Sequence, residues 1–203
     1  MPPDLGHTEL MASTRGLERL LAFSDATVAI AITLLVLPLV EIARDVNEQP
    51  VGDLLDQNRF QLVSFALSFV VIAVFWRAHH SMYEDVDTVP QWLMQANFVW
   101  LASIVFLPFP TALLQSDQDQ HLTHGIYIGT LVVASAAQSA QKWLILRQAG
   151  ITATPVRIDL LSLALMVVAL VIALLIPSIG LWALLILLAE APVVRLLRAR
   201  EQA

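Results

Sequence analysis

Two charged residues mark the start of the first long apolar segment of the chain, where an isolated charge is costly. Arg19 precedes the apolar run 20–40, and Asp25 lies inside that run. On membrane-insertion scales a charged side chain at the centre of a spanning helix costs about 2.5–3.5 kcal/mol, and less towards an end. A separation of six residues places Arg19 and Asp25 about 240° apart around a helix. Asp25 therefore needs a partner on another helix or another subunit.

The possible partners of Asp25 lie at the ends of the second and third apolar segments, on the same side of the membrane. They are Trp76, Arg77, His79, His80 and Asn97. Tryptophan, histidine and asparagine all carry N–H groups that can donate to a carboxylate. We expect a buried polar cluster that ties the first three helices together at the inner membrane face. In the alternative interpretation, Arg19 and His80 simply extend to the lipid headgroups.

The same helix carries an apolar stripe on another face. The stripe consists of Ala26, Ile30, Thr33, Leu34 and Leu37, at spacings of three and four residues. Asp25 points about 140° away from Ile30. Such stripes usually pack against other helices. This stripe would line a pore only if copies of the helix surrounded one axis, with apolar rings that gate by dewetting and Thr33 hydroxyls that replace part of an ion's water shell.

The composition predicts an all-α membrane protein with several spans. Of the 203 residues, 58% are hydrophobic and 14% are charged, whereas soluble domains average about 45–50% apolar and about 25% charged residues. Six apolar stretches of roughly 20 residues are each long enough to cross a hydrocarbon core of about 30 Å. We expect one transmembrane domain over residues 1–203, with helices at 20–40, 60–79, 92–114, 125–146, 158–176 and 179–197.

The charges of the connecting loops predict the orientation. With the N-terminus in the cytoplasm, the basic residues on the inner side are Arg15, Arg19, Arg77, Lys142, Arg147, Arg157, Arg195, Arg198 and Arg200. The outer side holds only Arg44 and Arg59, beside an acidic first loop. This distribution agrees with the positive-inside rule. We expect a multi-pass protein of the cell membrane with both termini in the cytoplasm.

Enzyme chemistry and nucleic-acid binding are disfavoured by the residues present. His79 and His80 precede Glu84, Asp85 and Asp87, but adjacent histidines on a helix point about 100° apart and the H-E-x-x-H spacing is missing. The chain has no cysteine, which excludes disulfides and thiolate metal sites. No basic tract is interleaved with aromatic residues, as nucleic-acid binding would require. We expect no catalytic residue, no metal site and no nucleic-acid partner.

A proton-coupled secondary transporter is the main alternative among membrane functions. Asp25 together with His79 or His80 would form its proton site at the inner face. Two features of the sequence oppose it, because we find no internal repeat and no charge near the middle of the membrane.

Three motifs resemble the bacterial relatives of the endolysosomal potassium channel. Arg19 to Asp25 reads R-x-x-x-F-S-D at the start of the first membrane helix. Residues 75–80 read F-W-R-A-H-H, which is similar to the family's F/Y-W-x-x-H-H. Asn97 followed by L-P-F-P-T at 107–111 is similar to the N…LPFPT of the family's third helix. The motifs cover the first three predicted helices, and the other three agree by hydropathy alone.

The resemblance implies a homotetramer of six-helix subunits in a lipid bilayer. Its first helices would line a central pore for monovalent cations, with potassium preferred over sodium and no cofactor. The pore positions implied are Ile30 at the constriction and Thr33, Leu34 and Leu37 beyond it. The structural polar cluster implied consists of Arg19, Phe23, Ser24, Asp25, Trp76, His79 and Asn97. On this basis the charged residues hold the pore helix to its neighbours and do not contact the ion.

Overall fold

The computed structural model describes residues 5–44, 50–84, 86, 90–114 and 120–150, with side chains from Arg15 onward except that of Gln120. This part of the chain is helical. Its helices are α1 (Leu5–Leu34), α2 (Leu37–Arg44), α3 (Val51–Gln57), α4 (Arg59–Met82), α5 (Gln91–Phe106), α6 (Pro108–Leu113) and α7 (Gln120–Gln148). The predicted fifth and sixth helices, 158–176 and 179–197, lie outside the described residues.

Three stretches of the described chain are long and apolar enough to cross a membrane. They are Arg15–Arg44, Arg59–Met82 and Gln91–Leu113, and they correspond to the first three predicted spans. The fourth predicted span lies in α7, which has 29 residues and is long enough to cross at about 1.5 Å per residue. Polar side chains lower its hydropathy, and several of them are buried, including Thr130 and Gln141.

The first predicted helix is interrupted, because a turn at 35–36 separates α1 from α2. Pro38 lacks the N–H that would donate to the carbonyl of Leu34, and its ring crowds that carbonyl. The backbone tightens instead, and the Val36 N–H donates to the Thr33 carbonyl at 3.3 Å. The continuous apolar run concealed this break, since hydropathy does not respond to one proline.

Proline also divides the third predicted helix. A turn at Leu107 separates α5 from α6, and Pro108 occupies the first position of α6, where a missing N–H is tolerated. The Leu107 N–H still donates to the Ile104 carbonyl at 3.2 Å. The two helices therefore continue one path across the membrane despite the break.

The core forms where α5 contacts both α1 and α7. The main apolar cluster includes Val28 and Ala31 of α1, Trp100 and Ile104 of α5 and Leu131 of α7. A smaller cluster of Leu17, Tyr83 and Leu93 closes one end of the bundle. This packing covers one side of α1 and leaves the other side open.

Candidate functional site

The two faces of α1 have opposite environments. The face against the bundle is buried and consists of Leu17, Leu20, Ser24, Val28, Ala31 and Leu35, the last lying in the turn after α1. The predicted stripe is exposed along its whole length, including Ala26 and Thr33. Its central residue Ile30 is 60% exposed, and Leu37 is 52% exposed. A row of large apolar side chains thus lies uncovered in the single subunit.

Thr33 is the polar member of this exposed stripe. Its hydroxyl donates to the carbonyl of Ile30 at 2.8 Å. A hydroxyl group has one donor and two acceptor positions, so this bond uses the proton and leaves the oxygen lone pairs free. The Thr33 oxygen can therefore accept a hydrogen bond from water or coordinate a cation.

A buried chain of hydrogen bonds links α1, α5 and α4. The amide nitrogen of Asn97 donates to the Ser24 hydroxyl oxygen at 3.0 Å, and Ser24 donates to the Leu20 carbonyl at 2.9 Å. His79 Nε2 lies 2.7 Å from the amide oxygen of Asn97. Because that oxygen only accepts, His79 carries its proton on Nε2 and donates. We call Ser24, Asn97 and His79 the buried polar chain.

Aromatic rings hold the imidazole of this chain in place. The rings of His79 and Trp100 are stacked, with centroids 4.0 Å apart and an interplanar angle of 11°. The ring of Tyr83 lies 4.8 Å from His79 on α4. His79 is 1% exposed and Asn97 is fully buried, so the imidazole is enclosed by protein groups.

Asp25 lies outside the buried polar chain and has a different partner. The indole N–H of Trp76 donates to its carboxylate at 2.8 Å, and Trp76 is 38% exposed. Phe23 is exposed and its ring lies 6.0 Å from Phe98. Arg19 is exposed, and none of the hydrogen bonds or ion pairs within the described residues involves it. The structure thus divides the predicted cluster into a buried chain, a half-exposed pair and two exposed side chains.

Sequence reasoning missed the groups that surround the buried polar chain. It assigned no role in the site to Trp100, Tyr83 or Gln141. Gln141 is fully buried and accepts a hydrogen bond from the Tyr83 hydroxyl at 2.8 Å. An amide inside an apolar stretch is a signal for such a contact, since a buried polar group needs a partner. Within the described residues, no three histidine, aspartate or glutamate side chains lie close enough to hold a metal.

These features define a class of protein, namely a multi-pass α-helical membrane protein with one face of its first spanning helix anchored and the other uncovered. A family model described as the endosomal/lysosomal potassium channel TMEM175 matches residues 19–108. A potassium channel of Streptomyces collinus is 30% identical over 133 residues, which span 64% of this chain and 64% of that protein. A potassium channel of Chamaesiphon minutus is 39% identical over 100 residues, or 47% and 48% of the two chains.

More distant proteins are also similar to this chain. The endosomal/lysosomal proton channel TMEM175 of Gallus gallus is 28% identical over 109 residues, which cover 53% of this chain and 22% of that protein. The crystal structure of a lysosomal potassium-selective channel TMEM175 homolog from Chamaesiphon minutus superposes with a TM-score of 0.73 at 23% identity. That match covers 89% of this chain and 98% of the other, and it shows that the folds are alike. The chain is thus similar to bacterial potassium channels and, over residues 19–108, to the TMEM175 family model.

Proposed function

We propose that this chain is the pore-forming subunit of a cation channel that prefers potassium over sodium, weakly to moderately. Four copies surround one axis, and α1 of each copy lines the pore. The observation that carries this proposal is the uncovered stripe on α1 and the first residue of α2, which lies opposite the face bound to the bundle. The two bacterial relatives are named as potassium channels, which supports the choice of permeant ion.

The stripe accounts for both passage and restriction of ions. Ile30 forms the narrowest apolar ring, and Leu34 and Leu37 form further rings that exclude water when they approach each other. Thr33 presents a ring of hydroxyl oxygens that replaces part of the hydration shell of a cation. This mechanism needs no bound cofactor and no catalytic group.

The buried polar chain has a mechanical function in this proposal. Ser24 stands on the covered face of α1, so its bond to Asn97 fixes the rotation of α1 about its axis. A rotation that turned Ile30 away from the axis would break this bond and leave buried polar groups without partners. The pair of Asp25 and Trp76 adds a second constraint on the same helix.

The proposed site of action is the cell membrane, with both termini in the cytoplasm. The support is the distribution of basic residues over the loops. The short helix α3 lies in the outer first loop and carries Asp53 and Asp56. Acidic groups at a pore mouth raise the local concentration of cations.

The first test is the reversal potential of the purified protein in a planar bilayer, with potassium on one side and sodium on the other. A current with unit steps that reverses on the potassium-selective side supports the proposal. A second pair of solutions differing only in pH measures proton permeation, which the name of the Gallus gallus relative makes relevant. Saturating, coupled flux without unit conductance would contradict the channel and support a proton-coupled transporter that uses Asp25 and His79.

A cysteine variant tests whether Ile30 lies in the pore. Because the chain has no cysteine, Ile30→Cys introduces a single thiol, and a thiol reagent has no other cysteine to modify. A charged thiol reagent should reduce the current through this variant by most of its amplitude. The matched control is Val70→Cys, an exposed position on α4, where the reagent should leave the current unchanged. Equal responses of the two variants would remove Ile30 from the pore.

A further inference from the structure

Two amide side chains of α7 make hydrogen bonds to α4, to Tyr83 at its end and to α5, close to the residues of the buried polar chain. Gln138 Nε2 donates to the carbonyl of Phe75 at 3.2 Å. Gln141 accepts a hydrogen bond from the Tyr83 hydroxyl at 2.8 Å and donates to the Ala96 carbonyl at 3.4 Å. We call Gln138, Gln141 and Tyr83 the inner clamp.

Each contact of the inner clamp adjoins a member of the buried polar chain. Ala96 directly precedes Asn97 in α5. The Phe75 carbonyl lies four residues before His79, at the position that accepts the His79 N–H in an α-helix. Tyr83 places its ring 4.8 Å from His79. The inner clamp therefore holds the backbone next to His79 and Asn97 and the Tyr83 ring beside His79. These are the two residues through which the buried polar chain connects to α1.

The burial of the clamp makes its geometry strict. Gln141 is fully buried and Tyr83 is 2% exposed, so water does not replace a lost partner. Burial raises the pKa of the Tyr83 hydroxyl above its ordinary value, and the group stays protonated and able to donate. A hydrogen bond lost at such a site leaves the other partner unsatisfied.

We propose that Gln138 and Gln141 are positioning residues for the pore helix, acting through the inner clamp and the buried polar chain. The clamp fixes the inner ends of α4 and α5, which orient His79 and Asn97, and Asn97 in turn holds Ser24 of α1. This inference rests on the proposed channel function. Loss of the clamp changes how often α1 adopts the conducting orientation, while the pore-lining residues stay the same.

The test is single-channel recording of Gln141→Leu in planar bilayers. Stranding the Tyr83 hydroxyl should shift the open probability by about tenfold, with unit conductance and reversal potential unchanged. Adding Tyr83→Phe removes the stranded hydroxyl, and the double variant should return towards the wild-type open probability. A merely structural role would lower yield and thermal stability without this selective shift.

A matched control separates the clamp from any buried polar group of α7. Thr130 is buried, and its hydroxyl donates only within its own helix, to Ile126 at 2.7 Å. Thr130→Val should leave the open probability unchanged. An equal shift in this variant, or a wild-type open probability in Gln141→Leu, would overturn the inference.

Hydrogen–deuterium exchange in lipid nanodiscs keeps the test independent of conduction. Gln141→Leu should accelerate amide exchange in residues 76–83 and 20–28, whereas Thr130→Val should not. If the wild-type protein shows no conductance but this exchange pattern appears, the channel proposal fails and takes the effect on open probability with it, while the link from the clamp to α1 stands. If the wild-type protein conducts but exchange is unaltered in Gln141→Leu, the clamp fails and the channel proposal stands.

Discussion

At the scale of single residues, the polar side chains of α1 and its neighbours differ in burial, and we expect their contributions to stability to differ accordingly. Asn97 is fully buried and satisfies two partners at once. Asp25 is half-buried, and its partner Trp76 is partly exposed. An unmade hydrogen bond costs most where water is excluded, so we expect Asn97 to contribute more to stability than Asp25.

Asn97→Leu should lower the free energy of unfolding by about 1–3 kcal/mol, because it strands the His79 N–H and leaves Ser24 without its donor. The measurement is thermal unfolding in detergent. Ser103→Ala is the control, since Ser103 is also buried but donates only to Val99 in its own helix. Equal shifts in the two variants would contradict a linking role for Asn97.

Asp25→Ala should cost less, about 1 kcal/mol, because the indole N–H of the partly exposed Trp76 can still reach water or a headgroup. Asp25→Asn keeps an acceptor oxygen for Trp76 and should cost less still. Yield and thermal midpoint of the two variants give the order. A loss for Asp25→Ala as large as that for Asn97→Leu would show that the carboxylate is more enclosed than its exposure indicates.

At the scale of helices, the break between α1 and α2 is the main departure from a simple spanning segment. It lies in the stripe itself, between Leu34 and Leu37. A proline inside a helix costs about 3 kcal/mol relative to alanine. A turn before Pro38 is therefore more favourable than a continuous helix.

Pro38→Ala should join α1 and α2 into one helix, because the new N–H can donate to the Leu34 carbonyl. Amide exchange at residues 35–40 should slow as the turn closes. Pro50→Ala is the control, since Pro50 precedes α3 as its N-cap and interrupts no helix. If exchange at 35–40 is unchanged in Pro38→Ala, packing and not the proline maintains the break.

At the scale of the whole molecule, the uncovered stripe raises the question of what covers it. A single subunit leaves Ile30, Leu34 and Leu37 exposed. Lipid would cover such a stripe as readily as another protein surface, since lipid tails are as apolar as leucine. Only the arrangement of copies around an axis distinguishes a pore from a lipid-facing surface.

The proposed tetramer should have a mass four times the 22.3 kDa of the chain, measurable by native mass spectrometry. Leu37→Cys should form disulfide-linked dimers under oxidation, because copies of this residue approach each other around the axis. Val63→Cys is the control, on an exposed face of α4. A monomeric mass, or equal cross-linking at both positions, would argue against a pore formed by α1.

The sequence by itself determined the features that depend on local rules. Hydropathy predicted the three spans of the described chain, because apolar length suffices for crossing a membrane. Helical periodicity separated the stripe of Ile30 from the face of Asp25, because position on a helix follows from residue number. Pro38 was equally visible, but the apolar run outweighed it and the break was missed.

The tertiary structure alone decided which polar groups meet. The sequence offered Trp76, His79 and Asn97 as equivalent partners for Asp25. The structure instead pairs Asp25 with Trp76, while Asn97 bonds Ser24 and His79 bonds Asn97. It also brought Gln141 to Tyr83, 58 residues away in the chain. Such pairings depend on how helices cross and rotate against each other, and neither hydropathy nor periodicity contains that information.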